Sequence, residues 1–207
     1  MIYEPAEDSF LLQEYVKKYA SGLVLDMGTG SGIQAETAAT TADFVIGIDI
    51  DKDAYKQCVK NIKKDNITFY KSNLFQVFEE NFFWYNPADN VMEVTSKKTA
   101  PRDEKKVLAH KQIKFDLIIF NPPYLPQELA ERDIALEGGE KGYETLARFF
   151  AKAPAYLKNE GRIIIVFSSF TKKQRVNDII HKAGLRYIEL KKQHVFFEDL
   201  FVYYVTK

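Results

Sequence analysis

The stretch Phe115-Asp116-Leu117-Ile118-Ile119-Phe120-Asn121-Pro122-Pro123-Tyr124 is the segment from which the fold follows. Five of its first six residues are apolar and only Asp116 interrupts them, the pattern of a strand buried on both faces of a sheet. Two prolines then end the run. Lacking an N–H and fixed in φ, Pro122 and Pro123 cannot extend a central strand and make a stiff, extended exit instead. Asn121 therefore stands at the strand's carboxyl end, the edge at which open α/β sheets bind ligands. Its amide sits beside carbonyls held by the prolines, and Tyr124 follows as a flat wall.

These atoms include no thiol, imidazole or paired carboxylate for nucleophilic or acid–base work. They accept hydrogen bonds and stack. The Asn121 oxygen and the Pro122 carbonyl can together hold an –NH2 group of a planar amide or exocyclic amine, with Tyr124 against its face. The plain alternative is a polar strand end followed by a proline turn.

Toward the amino terminus, Leu23-Val24-Leu25-Asp26-Met27 reads as a buried strand, and Gly28-Thr29-Gly30-Ser31-Gly32 leads directly into a helix from Ile33 to about Thr40. Strand, glycine loop and helix in that order mark a nucleotide-type site. Phe44 to Asp49 follows as a second strand, ending in an acid about twenty residues on, the separation expected of a ribose hydroxyl acceptor. Asp51 reads as the cap of a helix from Lys52 to Lys63, with a ribose role as its alternative. Ile67 to Lys71 makes a third strand with Ser72-Asn73-Leu74-Phe75 at its end. An amide at Asn73 suits adenine, and a turn or helix cap is its ordinary role. Four strand ends thus carry polar groups toward one crevice. A dinucleotide fingerprint wants a small residue at position 33, where this chain has Ile33, which counts against NAD. The glycine pattern suits a ligand needing close backbone approach without a phosphate cradle, such as S-adenosylmethionine.

At 207 residues, with 46% hydrophobic and 14% aromatic side chains, the chain reads as one folded domain. Twenty-nine basic and twenty-nine acidic residues cancel, so no global field draws it to nucleic acid or membrane. The lone Cys58 excludes an intramolecular disulfide framework and, with neither a signal peptide nor a membrane-spanning run, gives a cytoplasmic reading. His110, His181 and His194 lie outside any metal spacing, so no metal site is expected.

Residues 1–20 read as an amphipathic helix behind Tyr3-Glu4-Pro5-Ala6-Glu7-Asp8-Ser9, with a lid over the site as its functional reading. Residues 79–112 break the strand–helix rhythm as an insertion. Phe82 to Tyr85 precede a polar tract with Lys97, Lys98, Arg102, Lys105, Lys106 and Lys111. The favoured reading is a solvated loop whose aromatics pack locally; the alternative is a docking surface for a ribosome-associated or nucleic-acid partner. Leu136 to Gly142 is a glycine-rich loop on the site's edge. A helix from Tyr143 to Leu157, a strand from Gly161 to Phe167, a helix from Lys172 to Ala183 and strands at Leu185 to Leu190 and Leu200 to Val205 complete the plan.

Val24 to Gly32, Asp49 and Asn121-Pro122-Pro123-Tyr124 resemble the motifs of the class I S-adenosylmethionine-dependent methyltransferases. The Tyr3 to Leu12 segment and the Gly138-Gly139-x-x-Gly142 loop narrow this to a resemblance to the eukaryotic and archaeal branch of the HemK-like protein-glutamine methyltransferases. That resemblance implies a Rossmann-like α/β fold, a seven-stranded, mostly parallel sheet in order 3-2-1-4-5-7-6 with the last strand antiparallel and helices on both faces. It implies transfer of the methyl of S-adenosylmethionine to a glutamine amide in the Gly-Gly-Gln loop of a peptide-chain release factor, often with a small zinc-containing activator subunit. Cofactor contacts are implied for Glu7, Asp8, Asp26, Gly28, Thr29, Gly30, Gly32, Asp49, Ile50, Asn73, Leu74 and Asn121. Acceptor contacts are implied for Asn121, Pro122, Pro123 and Tyr124, with Asn121, Pro122 and Tyr124 catalytic. Asn73 departs from the family's usual aspartate, and residues 79–112 are longer than expected.

Other classes compete. An adenine-amine methyltransferase of DNA or RNA would use the same Asn121 to Tyr124 chemistry, and the basic insertion could serve it, although no separate base-recognition domain is visible. A nicotinamide oxidoreductase is disfavoured by Ile33, and a non-catalytic binding module by an intact acceptor motif beside an intact cofactor loop.

Overall fold

A computed structural model of the protein describes residues 4–100, 112–123 and 142–207. In chain order the elements are α1 (Glu7–Tyr19), β1 (Leu23–Met27), α2 (Ile33–Ala38), β2 (Phe44–Asp49), α3 (Lys52–Asn61), β3 (Ile67–Lys71), α4 (Gln76–Glu80), β4 (Asn81–Asn86) and β5 (Val91–Ser96). There follow β6 (Phe115–Phe120), α5 (Glu144–Tyr156), β7 (Leu157–Ser168), a 3-10 turn (Ser169–Thr171), α6 (Lys173–Lys182), β8 (Arg186–Val195) and β9 (Glu198–Thr206). Seven strands form one sheet in the order β3-β2-β1-β6-β7-β9-β8. Counted along the chain without the separate β4–β5 pair, this is the 3-2-1-4-5-7-6 order. The final strand, β9, runs antiparallel to both neighbours, while β1, β2, β3, β6 and β7 pair in parallel. Among the described residues no helix is long and apolar enough to cross a membrane.

The central stretch is buried on both faces, as its apolar run requires. Ile118 and Phe120 point into one core with α5 and α6, whereas Leu117 and Ile119 join α1, α2 and Cys58 in the other. Asp116 interrupts the run for a reason. Its Oδ2 accepts from the backbone N–H of Leu23 at 2.8 Å and from Lys158 Nζ at 2.7 Å, so it ties the starts of β1 and β7 to β6 at the rim away from the site. The first core is rich in aromatic side chains. Phe75 stacks on Tyr156 with ring centres 4.5 Å apart, and Phe149 packs on Phe120 at 4.7 Å, which holds the strand that carries Asn121.

The insertion differs from the solvated loop expected. Its described part folds back as the antiparallel β4–β5 hairpin, with Phe83 facing Val94 and Tyr85 facing Met92. Phe83 is buried edge-on against Phe78 and Tyr70, and Tyr85 meets Phe44. The hairpin therefore covers part of the first core. Alternation in Asn81 to Asn86 and Val91 to Ser96 was the available signal, and the turn is closed locally by the Asn86 side chain accepting from Ala88 N at 3.1 Å. Arg102, Lys105, Lys106, His110 and Lys111 lie outside the described residues. The carboxyl-terminal strands are also longer than expected, because Lys191 to Val195 extend β8 without an apolar pattern to announce it.

Candidate functional site

Because β1, β2, β3 and β6 are parallel, Met27, Asp49, Lys71 and Phe120 all end at one edge, and the loops that follow them form the crevice. After β1 the chain turns through Gly28 and Gly30 at φ of +66° and +53°. A Cβ built at Gly30 would have no neighbour nearer than 4.0 Å, and one at Gly28 none nearer than 3.5 Å. The space above these two glycines is open to a ligand. Gly32 differs: a Cβ there would stand 2.3 Å from Ile62 Cδ1, so its need is packing against α3 rather than ligand approach.

Two carboxylates hold this loop. Asp49 accepts from Gly30 N and Asp51 N, each at 2.8 Å, one bond to each oxygen. Burial raises its pKa against the pull of those bonds. Two carboxylate oxygens offer more acceptor sites than these bonds use, which suits ribose hydroxyls. Asp51 caps α3 through Asp53 N at 2.8 Å. Asp26 lies beneath the loop, 1% exposed, accepting from the Thr29 hydroxyl at 2.6 Å. Desolvation pushes its carboxyl up to about 7. Asp26 and Thr29 thus brace the loop from beneath. The Cys58 thiol donates to Gly30 O at 3.3 Å and is pushed up to about 12 by burial, which leaves it unreactive.

The acceptor end is assembled across the chain. Asp8, at the start of α1 and 3% exposed, accepts through Oδ2 from Asn121 Nδ2 at 3.1 Å. Its Oδ1 accepts from Ser9 N at 2.5 Å, and Ser9 O in turn accepts from Gln34 Nε2 at 2.8 Å. A carboxylate can only accept, so Asn121 must turn its NH2 toward Asp8 and its oxygen the other way. That oxygen, Asn121 Oδ1, is buried and has no hydrogen-bond partner among the described residues. Such an atom is costly unless a donor arrives from outside the fold.

At the ends of β2 and β3, Ile50 is exposed beside Asp49 and Leu74 adopts a left-handed φ of 50°, held by Ser72 Oγ donating to Leu74 O at 2.7 Å. Asn73 Oδ1 accepts from Arg148 Nη2 at 2.8 Å. That bond fixes the side of the Asn73 amide that carries its oxygen. Pro122 is buried and Pro123 partly so; Glu7 is exposed. Tyr124, Gly138 and Gly139 lie outside the described residues.

Sequence reasoning missed Gln34, Arg148, Ser168 and Glu198. Glu198 opens β9 beyond the end of β7, and the Ser168 hydroxyl bonds to it. The one available signal was the acid immediately behind the Phe196-Phe197 pair, hidden by strand bounds drawn too short.

A family model for Eco57I restriction-modification methylases matches residues 10–196. A provisionally named protein N5-glutamine methyltransferase of Methanocaldococcus jannaschii is 32% identical over 97% of this chain and 89% of its own length. The chain belongs to the HemK-like methyltransferases. Human methyltransferase HEMK2 is 26% identical to this HemK-like chain over 89% of it and 80% of the human protein. In fold, the chain matches a structure of the E. cuniculi Mtq2-Trm112 complex, described as responsible for methylating the eRF1 termination factor. That likeness has a TM-score of 0.66 at 18% identity and covers 99% of this chain and 98% of the other. The restriction-methylase match and the glutamine-methyltransferase relative agree on methyl transfer and differ in acceptor.

Proposed function

We propose that this HemK-like methyltransferase transfers a methyl group to the side-chain amide nitrogen of a glutamine, in the Gly-Gly-Gln loop of a peptide-chain release factor. S-adenosylmethionine is the methyl donor and supplies an electrophilic sulfonium methyl when bound. The observation that carries the reading is the Asn121 amide at the end of β6, oriented by Asp8, with its oxygen buried and without a hydrogen-bond partner among the described residues.

Amide nitrogen is a poor nucleophile because its lone pair is delocalised. Asn121 Oδ1 and the Pro122 carbonyl accept its two N–H bonds and so favour a pyramidal nitrogen whose lone pair faces the methyl. Holding both reactants in line supplies much of the remaining rate enhancement. The departing proton leaves after transfer, so no strong base is required. Gly28 and Gly30 admit the donor to the backbone, Asp49 takes the ribose hydroxyls, and Ile50, Leu74 and the Asn73 amide receive the adenine. Glu7 and Asp8 supply negative charge beside the sulfonium, and Asp26, Thr29 and Gly32 fix the loop.

Residues 1–20 close over the donor as a lid on a single domain. The Mtq2-Trm112 complex supports a partner subunit, and the small zinc-containing activator that the family resemblance implies is our candidate for it. The second reading, methylation of an adenine amine in DNA or RNA, draws on the restriction-methylase match, since an exocyclic –NH2 presents the same two N–H bonds.

The test is transfer of labelled methyl to a release factor or to unmodified nucleic acid, with and without a small zinc-binding activator. Asn121→Ala is expected to lower kcat by about 10²–10³-fold, the cost of one preorganised transition-state hydrogen bond, with donor affinity nearly unchanged. Label on adenine alone would move the assignment to nucleic acid.

A further inference from the structure

The acceptor side of the crevice carries polar atoms that the proposed reaction leaves unused. Strand register locates them. Phe120 of β6 lies opposite Ile165 of β7, and Ser168 of β7 lies opposite Leu200 of β9. Ser168 therefore stands three residues beyond the last β6 pairing, at the same sheet edge as the Asn-Pro-Pro exit. On antiparallel β9, Glu198 precedes Leu200 by two residues and so rises past the end of β7, two strand spacings or about 10 Å from the Asn-Pro-Pro exit.

Glu198 is not an ordinary surface acid. The Ser168 hydroxyl bonds to its carboxyl, but Oε2 is buried and has no hydrogen-bond partner among the described residues. Thr171, fully buried on the turn after Ser168, also has an unpartnered hydroxyl. Desolvation raises the Glu198 pKa first, and the charges of Asp8 and Glu7 raise it further. Asp8 is the residue that holds Asn121, so Glu198 lies within electrostatic reach of the acceptor amide's own support. Three carboxylates near one exit make it strongly acidic, and the fold supplies no cation to Glu198 among the described residues. A buried open acceptor of this kind is relieved when a donor from a bound molecule reaches it.

Immediately outside stand large apolar side chains. Phe196 and Phe197, in the β8–β9 turn, are 79% and 93% exposed, and Phe196 is strained at a φ of 49°. Phe170 is partly exposed on the turn after β7, which is tied to this tip by Asp199 N donating to Ser169 Oγ at 3.1 Å. Aromatic side chains held in water around a polar opening suit the surface of a protein carrying its acceptor into the crevice.

We infer that Glu198 is a specificity-determining residue for the acceptor: its open oxygen receives a basic side chain flanking the target glutamine, while Phe196 and Phe197 pack against the protein that bears it. The inference rests on the glutamine reading above. Its probes are acetylated, fluorescent ten-residue peptides containing Gly-Gly-Gln, with lysine or norleucine at each of the two positions on either side. Binding is read by anisotropy on protein loaded with S-adenosylhomocysteine, and methyl transfer is read separately.

The wild type is expected to favour a lysine peptide by about tenfold, and Glu198→Gln to bind both peptides alike with unchanged affinity for S-adenosylhomocysteine. Phe196→Ala and Phe197→Ala are expected to weaken binding of an intact release factor about tenfold and to leave the short peptides unaffected. Equal binding of the peptides by the wild type, or selectivity that survives Glu198→Gln, overturns the inference. So does a Glu198→Gln variant that loses S-adenosylhomocysteine instead, which would put the carboxylate on the donor side. If lysine selectivity vanishes in the variant but no methyl reaches glutamine, the glutamine reading fails, and what survives is only a Glu198 preference for a basic side chain at the crevice.

Discussion

Asp8 offers a test in which the more conservative substitution should do more harm. Both of its oxygens act as acceptors, one for Ser9 N at 2.5 Å and the other for Asn121 Nδ2 at 3.1 Å. In Asp8→Asn one oxygen becomes an NH2. The shorter bond to Ser9 keeps the remaining oxygen, so the new NH2 faces Asn121 and favours the flipped amide, with nitrogen where the acceptor needs oxygen. A charge-assisted hydrogen bond is worth about 1.5–3 kcal/mol, so in the wild type the flipped amide is held below about 8%. Asp8→Asn reverses that bias and leaves roughly a tenth or less of the molecules competent. Asp8→Ala removes the carboxylate's bias without reversing it and leaves the longer contact of Asn121 Nδ2 with Ser9 Oγ at 3.4 Å, so about half or more stay competent. Single-turnover methyl transfer at saturating donor should therefore fall about tenfold or more for Asp8→Asn and only a few-fold for Asp8→Ala. Calorimetric titration of S-adenosylhomocysteine separates any loss of donor affinity. Asp8→Asn retaining half the wild-type rate, or Asp8→Ala proving the slower, would refute the orientation argument.

Two further substitutions separate glycines that look alike in sequence. Gly32→Ala should lower the melting temperature by several degrees, because its Cβ meets Ile62 at 2.3 Å at a φ of +86°, whereas Gly30→Ala, with 4.0 Å of room, carries only the strain of its φ of +53° and should cost less stability while weakening donor binding. Differential melting with and without S-adenosylhomocysteine distinguishes the two effects. Asp26 adds a pH dependence. Its folded pKa of about 7 lies above the unfolded value, so its contribution is fully present below pH 4 and is lost as pH rises through 7. Urea denaturation at pH 5 and pH 8 should show Asp26→Asn gaining on the wild type at the higher pH by up to a few kcal/mol, and an equal difference at both would show that Asp26 titrates normally.

Much of this was legible because buried parallel strands announce themselves. Leu23 to Met27, Phe44 to Asp49 and Phe115 to Phe120 read as strands at their observed bounds, since burial on both faces leaves a continuous apolar run. The rim position of Asn121 followed from the prolines alone. What stayed hidden depends on long-range contact. Nothing in the Asn73 segment announces Arg148, which is 75 residues away. The β4–β5 hairpin was obscured because it packs on a core formed mainly by other segments, and β8 because an edge strand needs no apolar alternation where its residues meet water.

The link between Asp8 and Asn121 spans 113 positions, and so makes the enzyme's competence hostage to one helix staying docked. α1 is fastened by few polar bonds: Gln34 to Ser9 O, Gln13 to Thr37 and Tyr15 to Leu190 O. If that helix lifts at a free-energy cost below global unfolding, warming disorders the amide before it melts the sheet, and the chain passes through a range where it is still folded but no longer catalytic. Thermal inactivation would then report on the first thirteen-residue helix rather than on the seven-stranded core.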